Sequence, residues 1–165
     1  MSEYKYWYNM RHIISVLLEN ESGALSRVSG LFSARSFNIE SLSVAQSEDA
    51  TTSRMTIVTS GDDHIIEQIV KQLDKLLDVI DVSEITSKEH IEREIAFVKI
   101  KESSIKKSLM DKISDNEFLK IHKTNNGEVI VECVDSPKNI NIFIESIENI
   151  AEKIVRSGAV GINSD

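Results

Sequence analysis

The stretch His12-Ile-Ile-Ser-Val-Leu-Leu-Glu-Asn-Glu-Ser-Gly-Ala-Leu-Ser-Arg-Val-Ser-Gly-Leu-Phe32 contains three segments in succession. Its first seven residues are a short apolar run rich in branched side chains, the composition of a strand. Glu19–Gly23 is a polar break. Ala24, Leu25, Val28, Leu31 and Phe32 then recur at helical spacing, with Ser22 placed as an N-cap.

Working outward, Ile39–Ser47 reads as a second strand and Glu48–Thr51 as a turn. Arg54–Thr59 alternates as a third strand. Gly61-Asp62-Asp63 starts a second helix with the stripe Ile66, Ile69, Val70, Leu73, Leu76 and Leu77, and Val79–Ile85 is a fourth strand. The order is βαββαβ, the split β-α-β arrangement of ferredoxin-like folds. Its sheet carries both helices on one face.

The second half repeats this order. Ile95–Ile100 is a strand, Ser104–Ile113 a short helix and Glu117–His122 a strand. Asn125-Asn126-Gly127 predicts a type I′ hairpin turn leading to Val129–Val134. Pro137 stands at a first helical position behind Ser136 as N-cap. The stripe Ile140, Phe143, Ile144, Ile147, Ile150 follows, and Ile154–Val160 ends the unit. The fold class is therefore α+β, two ferredoxin-like βαββαβ domains in tandem, expected over residues 10–86 and 93–165 with a short charged junction at Thr86–Glu92. Each half is shorter than about 85 residues and marginal alone. A bare sheet face and open strand edges favour oligomerisation.

Composition narrows the function. Across 165 residues the formal net charge is -8, and neither half is basic, so nucleic acid is not an expected partner. No apolar run approaches the roughly 20 residues of a membrane span, so no membrane association is expected. Cys133, the single cysteine, excludes an internal disulfide and fits a reducing, cytoplasmic setting. Its place in Val-Ile-Val-Glu-Cys-Val is that of a buried structural thiol. Residues 1–9 contain an aromatic cluster without a signal-peptide core and are expected to be an extension.

Catalytic and metal patterns are not expected here. His12, His64, His90 and His122 lie on different elements without helical ligand spacing. His90-Ile-Glu92 resembles the start of a deaminase zinc motif, but no paired cysteines follow. No nucleophile elbow, phosphate loop or dinucleotide fingerprint is present. The distinctive feature is the first loop. Gly23 allows close backbone approach, the helix start offers N–H donors to a carboxylate, and the Asn20 amide donates and accepts. These residues alone leave two readings open: a cap, or a seat for an amino acid.

At these residues the sequence resembles the small subunit of acetolactate synthase (acetohydroxyacid synthase). The likeness is carried by Ile14–Val28, Gly30-Leu-Phe-Ser33, Phe37-Asn-Ile-Glu-Ser-Leu42, Ser53-Arg-Met-Thr-Ile57, Glu67–Leu73 and, near the end, Arg156-Ser-Gly-Ala-Val-Gly161. The family's usual start falls at Met10. The resemblance implies an N-terminal ACT domain, an amino-acid-binding module, and a C-terminal domain of related topology. It implies a non-catalytic regulatory chain with no cofactor of its own. The partner would be a large catalytic subunit using thiamine diphosphate, magnesium and FAD to form 2-acetolactate from two pyruvates, or to join pyruvate with 2-oxobutyrate. The small subunit raises that activity and confers feedback inhibition, usually by valine or another branched-chain amino acid.

In the family, ACT domains pair side by side as a homodimer with the effector at the interface. Carried over, one wall is Asn20, Ser22, Gly23, Ala24 and Leu25, and the other is Asn38 and Ile39 of the second copy. The family usually has Arg-Gly-Tyr-Asn where this chain has Arg35-Ser-Phe-Asn38. Ser36 thus stands where a glycine is expected at positive φ, and Phe37 lacks a tyrosine hydroxyl. The first alternative is a stand-alone amino-acid-sensing ACT protein serving another enzyme or transcription. The second is an acylphosphatase-like hydrolase, which needs an asparagine and an arginine, Asn20 and Arg27, converging on phosphate.

Overall fold

A computed structural model describes residues 10–164. The aromatic cluster and extension expected over residues 1–9 lie outside the described residues. The chain divides into two units: residues up to Ile91 together with those from Val160 onward, and Glu92–Ala159.

In the first unit β1 (Met10–Glu19), β2 (Ser41–Gln46), β3 (Thr52–Gly61) and β4 (Val79–Glu84) form an antiparallel sheet in the order β2-β3-β1-β4. Helices α1 (Ala24–Ala34) and α2 (Asp63–Leu73) share one face. Alternate residues Ile14, Val16 and Leu18 of β1 meet Met55 and Ile57 of β3, Val28 and Phe32 of α1, and Ile69 and Leu73 of α2. The ferredoxin-like reading holds for this order and layering.

The opposite face differs from the expectation of a bare sheet. Ile13 and Ile85 are wholly buried there. A final strand, β9 (Val160–Asn163), brings Gly161 against this face, its N–H donating to Thr56 Oγ1 at 3.3 Å. A Cβ on Gly161 would stand 3.0 Å from Ile85 Cδ1 and 3.5 Å from Ile13 Cγ2. By its contacts, the chain after Ala159 groups with the first unit. The expected strand Ile154–Val160 is interrupted where Gly158 takes φ 79°.

Helix α2 begins as expected, with Asp62 Oδ1 accepting the N–H of Ile65 at 2.8 Å. It ends at Leu73, earlier than its apolar stripe implies. Leu76 still packs on the core, whereas Leu77 is 99% exposed. Helix α1 ends in a Schellman motif: Phe37 N–H donates to Phe32 O at 3.0 Å and Ser36 N–H to Ser33 O at 3.2 Å. Ser36 holds the left-handed position at φ 57°, and the Phe32 and Phe37 rings meet edge to face at 6.4 Å.

The second unit repeats the pattern with β5 (His90–Lys101), α3 (Lys107–Ser114), β6 (Leu119–Lys123), β7 (Glu128–Asp135), α4 (Pro137–Ile147) and β8 (Ala151–Arg156). Its strand order is β6-β7-β5-β8. β5 begins at His90, so the expected junction is partly strand. Ser136 caps α4, accepting the N–H of Asn139 at 3.3 Å. At the hairpin only Gly127 takes positive φ, which rules out the type I′ turn. Thr124 N–H bonds Glu128 O at 3.1 Å around a three-residue loop. Cys133 is buried, and burial pushes its thiol pKa up to about 11, as suits a packing residue.

Left-handed backbone costs a non-glycine residue roughly 1–2 kcal/mol. Ser36→Gly is therefore expected to stabilise the chain by about 1 kcal/mol, raising its denaturation midpoint, while Ser36→Ala brings no gain. A midpoint for Ser36→Gly at or below that of the parent would contradict this account.

Candidate functional site

The loop Glu19–Gly23 leaves β1 and turns into α1, and it is tied on two sides. Glu19 N–H donates to Asp78 O at 2.8 Å, and Asn20 N–H to Thr51 O at 2.8 Å. The Asn20 side chain donates to Ala50 O at 3.1 Å. That turn is itself braced by Asp49, whose carboxylate accepts from Thr51 N–H and Oγ1, both at 2.8 Å.

Gly23 is the residue that caps α1, at φ 92°, and no side chain completes the cap. This corrects Ser22 as N-cap: the chain turns through a left-handed glycine, leaving Ser22 exposed in the loop. No acidic residue occupies the first turn of α1. The other two 11-residue helices do carry side-chain caps, Asp62 and Ser136. Ala24 N–H turns back to Glu21 O at 3.3 Å; the remaining backbone donors at the start of α1, with its partial positive charge, meet no side-chain acceptor, an arrangement suited to a carboxylate.

The other residues singled out from sequence fall in different places. Ala24 is 3% exposed and belongs to the core, while Leu25 is 43% exposed beside the loop. Asn38 is exposed, its carbonyl accepting from Thr59 Oγ1 at 2.6 Å. Ile39 is half-buried against the core. Asn38 is level with Thr59, which faces His12, whereas the loop starts beyond Glu19, which faces Thr52. Seven residues of β1 separate the two levels, about 24 Å at the usual strand rise. Within one chain, Asn38 and Ile39 lie at the opposite end of the sheet from Asn20 and Gly23.

Asp78 is the residue that pattern reading missed. It is 8% exposed, and its carboxylate takes a forked pair of bonds from Arg27, Nε to Oδ2 and Nη2 to Oδ1, the latter at 2.7 Å. The fork holds the Asp78 carboxyl below its usual pKa, against the opposing effect of burial. No local motif marks it, because its partner is 51 residues away. The pair also bears on the hydrolase alternative: Arg27 is engaged with Asp78 and the Asn20 amide with Ala50, so they do not converge on a phosphate site. Among the described residues, no three His, Cys, Asp or Glu side chains are grouped to hold a metal ion. No described helix is long and apolar enough to cross a membrane.

Comparison with known proteins adds to this geometry. Residues 14–81 match the family described as the AHAS small subunit-like ACT domain, and residues 93–165 the family described as the small subunit of acetolactate synthase. The chain is 46% identical to the acetolactate synthase isozyme 3 small subunit of Escherichia coli, covering 93% of this chain and 96% of that protein. It is 38% identical to a probable acetolactate synthase small subunit of Archaeoglobus fulgidus, over 93% and 96% of the two chains. The crystal structure of the acetolactate synthase small subunit from Thermotoga maritima superposes with a TM-score of 0.83 at 32% identity, over 94% and 98%.

A carboxyl depressed in the folded state contributes stability above the ordinary carboxylate pKa of about 4 and loses it as pH falls through the folded value. The parent is therefore expected to lose stability more steeply than Asp78→Asn as pH falls from about 5 to about 3. Asp78→Asn should melt lower at neutral pH. Parallel midpoint-against-pH curves would refute the assignment.

Proposed function

The chain belongs to the acetolactate synthase small-subunit family, and on that premise we propose that it activates a catalytic large subunit and makes it sensitive to valine. In this reading the chain performs no chemistry of its own. The large subunit carries thiamine diphosphate, magnesium and FAD and condenses pyruvate to 2-acetolactate. Valine, or another branched-chain amino acid, binds the ACT domain of the small subunit and favours a form that no longer activates. Such a shift requires the effector to bind the two forms unequally.

The observation that carries the proposal is the placing of the two half-sites. The uncapped start of α1 suits a carboxylate, and Leu25 offers an apolar wall. Asn38 and Ile39 are about 24 Å away along the sheet, at the head of β2, an edge strand. Antiparallel pairing of β2 with β2 of a second copy reverses the strand direction. It brings the partner's head of β2 level with this chain's Gln46 and Ser53, the end at which the loop lies. A homodimer built this way completes the site twice, with the loop binding the carboxylate and carbonyl and amide oxygens available to the ammonium.

Gly23→Asp tests the site. At φ 92° any side chain is strained, at a cost of about 1 kcal/mol, and the new Cβ would lie 2.9 Å from Arg27 Nη1, so the guanidinium must shift slightly to admit it. The fold is expected to survive, with the introduced carboxylate where the effector's own would sit. The expected outcome is loss of valine inhibition in the reconstituted enzyme and loss of valine heat in calorimetric titration of the purified chain. Undiminished valine sensitivity would place the effector elsewhere.

A further inference from the structure

Asp78 touches both ends of the effector loop. Its backbone carbonyl accepts the N–H of Glu19, the last residue of β1, at 2.8 Å. Its carboxylate holds Arg27, one turn into α1, by two bonds in the fork geometry that only arginine offers. Arg27 in turn closes the first turn of the helix, its N–H donating to Gly23 O at 3.0 Å. The remaining guanidinium nitrogen, Nη1, stands 2.9 Å from the point a Cβ of Gly23 would occupy. One residue of the α2–β4 connection therefore spans the segment 19–27, through its backbone carbonyl at Glu19 and its carboxylate at Arg27, and the glycine is closed against the guanidinium.

We infer that Asp78 and Arg27 are positioning residues for the effector, the inference resting on the effector reading of this loop. The pair fixes the loop's path so that the donors at the start of α1 are in place before an amino-acid carboxylate arrives, with Nη1 adding positive charge beside Gly23. Preorganised donors bind an anion more tightly than donors that must first be ordered. Charge without the fork is insufficient: a lysine at position 27 supplies an ammonium but cannot span both carboxylate oxygens in fixed geometry. The fork also brings a link to the α2–β4 connection, where Leu77, 99% exposed, adjoins Asp78.

The test uses Asp78→Asn, Arg27→Lys and the double variant, full length and reconstituted with the catalytic subunit. Each single variant is expected to raise the valine concentration for half-inhibition at least tenfold. In the isolated chain without valine, each should speed amide exchange across residues 19–27 while residues 63–73 of α2 keep the parent's protection. The double variant should be no worse than either single one, since one interaction is lost in all three. Unchanged exchange over 19–27, or effects that multiply in the double variant, would overturn the inference. A parent insensitive to valine, or a Gly23→Asp variant as sensitive as the parent, would overturn the effector reading instead, and the exchange data would still decide whether the pair positions the loop.

Discussion

Everything in the first unit takes its register from β1. It pairs with β3 along one edge and with β4 along the other, and it is buried on both faces. One set of alternate side chains, Ile14, Val16 and Leu18, enters the helix-covered core. Ile13 on the other face is equally buried, next to Ile85 and Gly161. A slip of one residue would exchange these two sets. The loop at the end of β1 inherits this precision, because its first residue, Glu19, is still paired with Thr52. A loop that leaves a rigid central strand starts from a defined height and direction.

The element order was legible in sequence because it rests on local pattern. Apolar periodicity, Asp62, Ser136 and Pro137 mark helices that form where expected. What was not legible depends on distant partners. Ser22 looks like a cap in isolation, yet Gly23 takes that position through its left-handed backbone. Leu77 fits the stripe of α2 but falls beyond the helix end. The continuous apolar run His12–Leu18 did carry a signal of burial on two faces, but nothing local says that residues from Val160 onward supply the cover. Asp78 is one carboxylate among many until the fold brings Arg27 to it.

The candidate site shows the same division. Asn20 and Gly23 belong to a loop whose character is local, whereas Asn38 and Ile39 are placed by the end of α1. The Schellman turn at Ser36 and the Phe32–Phe37 contact fix the direction in which the chain leaves the helix. The Thr59 bond to the Asn38 carbonyl then anchors it beside β3. A serine tolerates the left-handed position because this surrounding contact set over-determines it. The exit from α1 is thereby fixed by its own contacts, as the start of α1 is tied by Asp78 and Arg27.

The packing of Gly161 of β9 on the face of the first sheet affects how the chain acquires its structure during synthesis. Domains generally fold as they emerge, the N-terminal one first. Here β1 to β4, α1 and α2 are all made by residue 91, but Gly161, which packs against Ile13 and Ile85, is made only after the second unit. The first unit is therefore completed only after the second has been made. Translation arrested between the units leaves the ACT sheet without Gly161 against Ile13 and Ile85.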